Sequence, residues 1–85
     1  MNDSQWKHFV GLCDKNFEEC EFASELIAVC FGKEDIAKVV YFHNKGASLK
    51  WLRSKIPAMG NLIPYKEIEK GNVDAVRNVL LSFPC

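Results

Sequence analysis

The sequence predicts an all-α protein, a compact bundle of five or six short helices forming a single domain over residues 1–85. Apolar residues recur at spacings of three and four along most of the chain, which is the pattern of amphipathic helices. Hydrophobic residues make up 48% of the 85 positions, which is enough for one modest core, and the chain is too short for a second one. No internal repeat, low-complexity stretch or linker interrupts this organisation.

The first two helices are predicted from their apolar stripes. The first runs from about Ser4 to Asp14, with Asp3 or Ser4 as its N-cap. Its stripe consists of Trp6, Phe9, Val10 and Cys13. The second follows the acidic stretch 16–21, and its stripe consists of Ala23, Leu26, Ile27, Cys30 and Phe31. Gly32 stands where a left-handed residue commonly ends a helix, so the second helix is expected to stop there.

A third helix is predicted to begin at Glu34 and Asp35, because acidic side chains are favourable at a helix N-terminus. Its stripe consists of Ile36, Val39, Val40 and His43, and Asn44, Lys45 and Gly46 then break the pattern. The β-branched pair Val39 and Val40 also suits a strand. The helix is preferred because the spacing is helical and no other segment could pair with such a strand.

Two helices flank a proline-containing loop. The fourth helix covers about Ala47 to Lys55 and ends near Ile56, because Pro57 disfavours helical geometry in the residue before it. Its stripe consists of Leu49, Leu52 and Ile56. Residues 57–63 form the loop, and Pro64 is suited to open a fifth helix that ends at Gly71. The apolar side of the fifth helix consists of Tyr65 and Ile68.

The final helix is expected to have more apolar surface than one stripe provides. Asn72 is its predicted cap, and Pro84 stops it. Its main stripe consists of Val73, Val76, Leu80 and Phe83. Val79 and Leu81 lie beyond that stripe, which indicates a second buried surface, formed either in a homodimer or with a different protein.

Charge and hydropathy exclude several classes of function. The net charge is zero, so nothing favours capture of DNA or of an anionic membrane. The distribution is uneven, since residues 1–46 hold eight acids and five bases while residues 47–85 hold three acids and six bases. No apolar run is long enough to span a membrane, and the N-terminus lacks the pattern of a signal peptide. A cytoplasmic location is therefore expected.

The four cysteines are expected to be reduced thiols, because their spacing is irregular and no secretion signal is evident. Cys13 and Cys30 occupy apolar helical positions, where cysteine acts as a small hydrophobic residue. Cys85, the last residue, is expected to be exposed.

The sequence shows no catalytic or metal-binding apparatus. No closely spaced pair of cysteines or histidines suggests zinc, and no glycine-rich loop suggests phosphate binding. His8 and Cys13 lie about 140 degrees apart around a helix, so they do not face each other. His43 is expected to be a partly buried, hydrogen-bonded histidine. The carboxylate pairs 18–19 and 34–35 are expected to be solvated surface, so neither an enzyme nor a cofactor is predicted.

A motif in the second half carries a resemblance to a known family. It consists of Trp51 and Leu52, the loop 56–61, Pro64 at a helix start, Gly71, and a final helix around 76–80. In this order and spacing, residues 35–84 resemble the C-terminal toxin-binding domain of the Xre/MbcA/ParS-type antitoxins. Four of these residues are expected to determine the fold: Trp51, Leu52, Gly60 and Pro64.

The resemblance implies that the chain binds and blocks a RES-domain toxin, an enzyme that consumes NAD, by occluding its active site with the C-terminal region 80–85. The residues expected to contact the partner are Arg53, Tyr65, Lys66, Arg77, Leu81, Phe83, Pro84 and Cys85. In the free protein, Arg53, Lys55, Lys66 and Arg77 are expected to be solvated. Residues 1–34 are expected to form two helices without the family's helix-turn-helix region, so promoter binding is expected to be lost.

Two other functions fit the same sequence. The chain could be a stand-alone phage or mobile-element protein that uses this helical domain to block or adapt a different host protein. It could also be a DNA-binding regulator, although its charge balance disfavours that role.

Overall fold

The computed structural model describes residues 3–82, and this part of the chain is an all-α bundle, as the sequence predicts. Its six α-helices are α1 (Asp3–Phe17), α2 (Ala23–Val29), α3 (Glu34–Asn44), α4 (Ser48–Arg53), α5 (Pro64–Glu69) and α6 (Val73–Ser82). Two short 3₁₀ turns, Lys45–Ala47 and Pro57–Met59, lie between them. Within residues 3–82, the β-structure is limited to one isolated bridge between Ile56 and Leu62.

Helix α3 lies at the centre of the core, and α1 packs along it. Its stripe is buried as predicted, since Ile36, Ala37, Val39 and Val40 are fully buried. The β-branched segment is therefore helical. Helix α1 continues beyond the predicted end at Asp14, because Phe17 extends its stripe by one more turn into the core. Asp3 and Ser4, the expected caps, are already part of this helix.

Helix α2 ends in a Schellman turn, in which backbone N–H groups beyond the helix bond back to its last carbonyls. The N–H of Gly32 donates to Ile27 O at 3.0 Å, and the N–H of Phe31 donates to Ala28 O at 3.0 Å. Gly32 is left-handed as predicted, with φ +82°. Phe31 was expected to be in the buried stripe, but the turn begins one residue earlier and leaves its side chain 47% exposed.

The segment between α4 and α5 is compact. Helix α4 ends at Arg53, before the predicted Lys55, because Ser54 adopts an extended conformation. The loop contains the 3₁₀ turn Pro57–Met59, and the N–H of Ile56 closes it by donating to Leu62 O at 2.9 Å. Gly60 has φ +67°, which confirms the tight backbone turn expected there.

Helices α5 and α6 are joined by a second Schellman turn. Pro64 is the first residue of α5 and is fully buried, and Gly71 takes the left-handed position with φ +89°.

Asn72, the expected cap of α6, donates a hydrogen bond from its side-chain amide to Glu67 Oε1 at 2.9 Å. This bond lowers the pKa of Glu67, and a hydrogen bond from Lys70 adds to the effect. Glu67 thereby remains a satisfied acceptor in a buried position.

The described cysteines behave as small apolar residues. Cys13, Cys20 and Cys30 are buried and none of the three is disulfide-bonded, which agrees with the expectation of reduced thiols; Cys85 lies outside the described residues. Between residues 3 and 82, none of the helices combines the length and the hydropathy that crossing a membrane requires.

Candidate protein-binding surface

The outer face of α6 lines an open apolar groove. We call this the α6 groove; it is formed by Ala58, Met59, Ala75, Asn78, Val79 and Ser82. Its volume is about 320 Å³. The 3₁₀ turn Pro57–Met59 forms one wall and α6 forms the other. Pro57 and the left-handed Gly60 set the backbone path of this turn, which lies against α6. These two residues therefore position one side of the groove.

Helix α6 has two apolar sides, each formed by a pair of residues four positions apart. Val76 and Leu80 are fully buried and attach the helix to the core. Ala75 and Val79, one position earlier in each turn, are half-buried and lie in the groove. The sequence indicated this second side through Val79. Leu81, which was expected to widen it, packs against the core from a half-buried position.

The residues expected to contact a partner differ in their exposure. Arg53 on α4 and Lys66 on α5 are exposed, whereas Tyr65 and Leu81 are half-buried against the core. Phe83, Pro84 and Cys85 lie outside the described residues. Of the expected fold determinants, Leu52 and Pro64 are fully buried, while Trp51 is half-buried at the edge of the core.

Arg77 was expected to be solvated, and the structure shows that this is wrong. Its Nη2 donates to Asp35 Oδ2 at 3.0 Å, and its guanidinium lies 5.5 Å from the centre of the Trp6 ring. Trp6 Nε1 donates to the same Asp35 oxygen at 2.8 Å. Asp35 is therefore a half-buried acceptor joining α1, α3 and α6, and the expectation that it is solvated is also wrong.

A cleft of about 350 Å³ lies over this network, lined by Asp3, Trp6, Lys7, Val10, Asp35 and Arg77. The buried Nε of Arg77 has no hydrogen-bond partner within residues 3–82, and the contact of the guanidinium with the Trp6 ring offsets part of that cost. Asp35 already accepts two donors, so we interpret the network as a structural connection between helices.

His43 is the partly buried, hydrogen-bonded histidine that the sequence predicts. Its Nε2 donates to the carbonyl oxygen of Leu80 at 3.0 Å, which connects α3 to α6. Its ring is nearly perpendicular to those of Phe9 and Phe42, with ring centres 5.5 Å and 5.3 Å away. Burial lowers the pKa of His43 because it disfavours the charged imidazolium, although the bond to Leu80 partly opposes this.

The described side chains do not assemble a metal-binding group. Within residues 3–82, no cluster of three or more histidine, cysteine, aspartate or glutamate side chains could hold an ion. His8 is exposed while Cys13 is fully buried, so this pair does not meet, as expected. The arrangement of the α6 groove supports binding by shape and apolar contact.

Sequence reasoning missed part of the groove for two different reasons. Ala75, Asn78, Val79 and Ser82 are spaced by three and four, so the signal on α6 was present. Ala58 and Met59 come from a loop whose packing against α6 has no local signal. The partnership of Asp35 with Arg77 joins residues 42 positions apart, and no local pattern predicts it.

Comparison with known proteins gives no assignment. No family model matches the chain, and neither the curated proteins nor the solved structures contain a significant match to it.

Proposed function

We propose that this chain is a non-catalytic, cytoplasmic inhibitor that neutralises a RES-type, NAD-consuming toxin by covering its active site. The observation that carries the proposal is the α6 groove, because an open apolar groove on a small protein is a suitable docking site for a protein segment. The groove also lies within residues 35–84, the part of the chain that resembles the antitoxin toxin-binding domain.

The groove suits a short apolar segment of the toxin. Val79 and Met59 would supply apolar contact, while Asn78 and Ser82 at the exposed side would supply hydrogen bonds that fix the register. Arg53 and Lys66 are exposed and would meet acidic groups at the rim of the interface. Inhibition would then be steric, since binding next to the active site excludes NAD.

The proposal predicts that a RES-domain toxin is encoded next to this chain, and the test uses that toxin. The full chain and the toxin are purified together, and NAD consumption is measured as inhibitor is added. We expect a stable complex and loss of NAD consumption at equimolar inhibitor. The variant Val79→Asp puts a charge into the groove and is expected to weaken inhibition at least about tenfold, which corresponds to roughly 1.4 kcal/mol.

The control variant is Leu12→Asp, because Leu12 lies on α1 outside the groove and is 62% exposed. Circular dichroism must show that both variants remain helical. Equal inhibition by Val79→Asp and wild type would contradict docking in the groove. The absence of any RES-domain toxin from the genome, together with specific binding of a different host protein through Val79, would support the phage or mobile-element alternative.

A further inference from the structure

Phe31 combines two unfavourable features in one residue. It has φ +56°, the left-handed region that bulky side chains rarely adopt, and its ring is 47% exposed. The corresponding position of the turn after α5 is Gly71, and the turn after Pro57–Met59 uses Gly60. The left-handed backbone of Phe31 therefore lowers the stability of the fold. Burial of the ring offsets only part of this cost, because only part of the ring is buried.

The sequence leading to Phe31 is acidic. Residues 16–33 contain four acids and one base, the exposed Lys33. All four acids are exposed, and they are Glu18, Glu19, Glu21 and Glu25. We call Phe31 with this acidic stretch the Phe31 surface. An exposed aromatic ring on a segment with an excess of acids is suited to an apolar pocket with a basic rim.

The same chain contains a groove of that description. The Trp51 groove is lined by Asn44, Ala47, Lys50, Trp51, Ser54 and Ile56, and its volume is about 230 Å³. An apolar cavity of roughly 150 Å³ is large enough for benzene, so a phenyl ring fits the size of this groove. Residues 36–66 contain six bases and no acid. Lys45, Lys50, Arg53 and Lys55 are exposed within that stretch.

We infer that the chain associates with a second copy of itself, with Phe31 of one copy inserted into the Trp51 groove of the other. The ring supplies the apolar contact, and the exposed glutamates of one copy face Lys50 and its basic neighbours on the other. The zero net charge favours such association, because no overall repulsion opposes it. The contact joins two different surfaces, so it is of the heterologous type. It does not depend on toxin binding.

Sedimentation velocity of the full chain tests the inference directly. From micromolar to millimolar protein at low salt, the weight-average sedimentation coefficient should rise, and high salt should return it towards the monomer value. Phe31→Gly should sediment as a monomer over the same range, while its melting temperature rises because the strained position is now glycine. Leu12→Ser removes another exposed apolar residue, 62% exposed on α1, and should associate like the wild type.

A charge exchange gives a stricter test. Glu25→Lys damages the Phe31 surface, and Lys50→Glu damages the groove, so each variant alone should be monomeric. When they are mixed, the intact groove of the first meets the intact Phe31 surface of the second, and a one-to-one complex should form. A wild type that is monomeric throughout, equal loss of association in Leu12→Ser and Phe31→Gly, or a mixture without complex would each overturn the inference.

Discussion

Trp6 and Arg77 donate hydrogen bonds to the same oxygen of Asp35, at 2.8 Å and 3.0 Å, although they lie at opposite ends of the chain. This shared acceptor holds the first helix, the central helix and the last helix together. Because α6 also forms one wall of the α6 groove, the network fixes the helix on which the proposed interface lies.

Because Asp35 accepts both hydrogen bonds, we expect its replacement to lower the stability of the protein measurably. Asp35→Ala leaves the indole N–H of Trp6 and the guanidinium of Arg77 without their acceptor, and Trp6 is only 3% exposed. We expect the free energy of unfolding to fall by about 2 kcal/mol in urea denaturation. Asp14→Ala is the control, since its partner Lys38 keeps a second contact with Glu34. Equal losses in the two variants would contradict this account.

Gly71→Ala is expected to destabilise the protein through the backbone alone. Gly71 has φ +89°, and a Cβ atom added there would meet no atom within 4 Å. The cost should therefore be about 1 kcal/mol, the typical penalty for a side chain in the left-handed region. Thermal or urea unfolding measures it. Gly11→Ala, inside α1 and also in open space, should instead be neutral or stabilising, and a loss there as large as at Gly71 would point to packing rather than conformation.

Because His43 is partly buried, we expect the free energy of unfolding to decline in mild acid. Its pKa in the folded protein is lowered by burial, so between that pKa and the ordinary value of 6.5 the unfolded chain binds more protons. The stabilisation is full above about pH 6.5 and is lost as the pH falls towards the folded pKa. Urea denaturation at pH 7.5 and pH 5.5 measures the difference.

The matched variants for that measurement are His43→Gln and His8→Gln. The first should remove much of the pH dependence in this range, because no titrating imidazole remains at the buried position. His8 is exposed on α1, so its replacement should leave the dependence close to wild type. The reverse ranking would show that another group is responsible.

Cys30 should be unreactive in the folded protein. Its side chain is fully buried, and burial together with the nearby charge of Asp35 raises the pKa of the thiol to about 12. Titration with a thiol-specific disulfide reagent at pH 8 measures this in a variant that keeps Cys30 alone, with Cys13, Cys20 and Cys85 replaced by serine or alanine. We expect slow modification without urea and rapid modification in urea; rapid reaction in both would show that the site opens.

The sequence alone determined the helices and most of their buried faces, because the spacing of apolar residues within one helix is a local property. It also placed Pro64 at a helix start and Gly32, Gly60 and Gly71 at turns, since these depend on the conformational preferences of single residues. The ends of the helices were predicted less accurately, as the extension of α1 to Phe17 and the early end of α4 at Arg53 show.

Only the tertiary structure decided which distant residues meet. Asp35 and Arg77 looked like ordinary surface charges until the packing of α6 on α3 brought them within 3.0 Å. The α6 groove likewise required Met59 from a loop to lie beside Val79 from a helix. Such pairings follow from the way the helices share one core, and a charged or loop residue carries no periodic pattern that would reveal its partner.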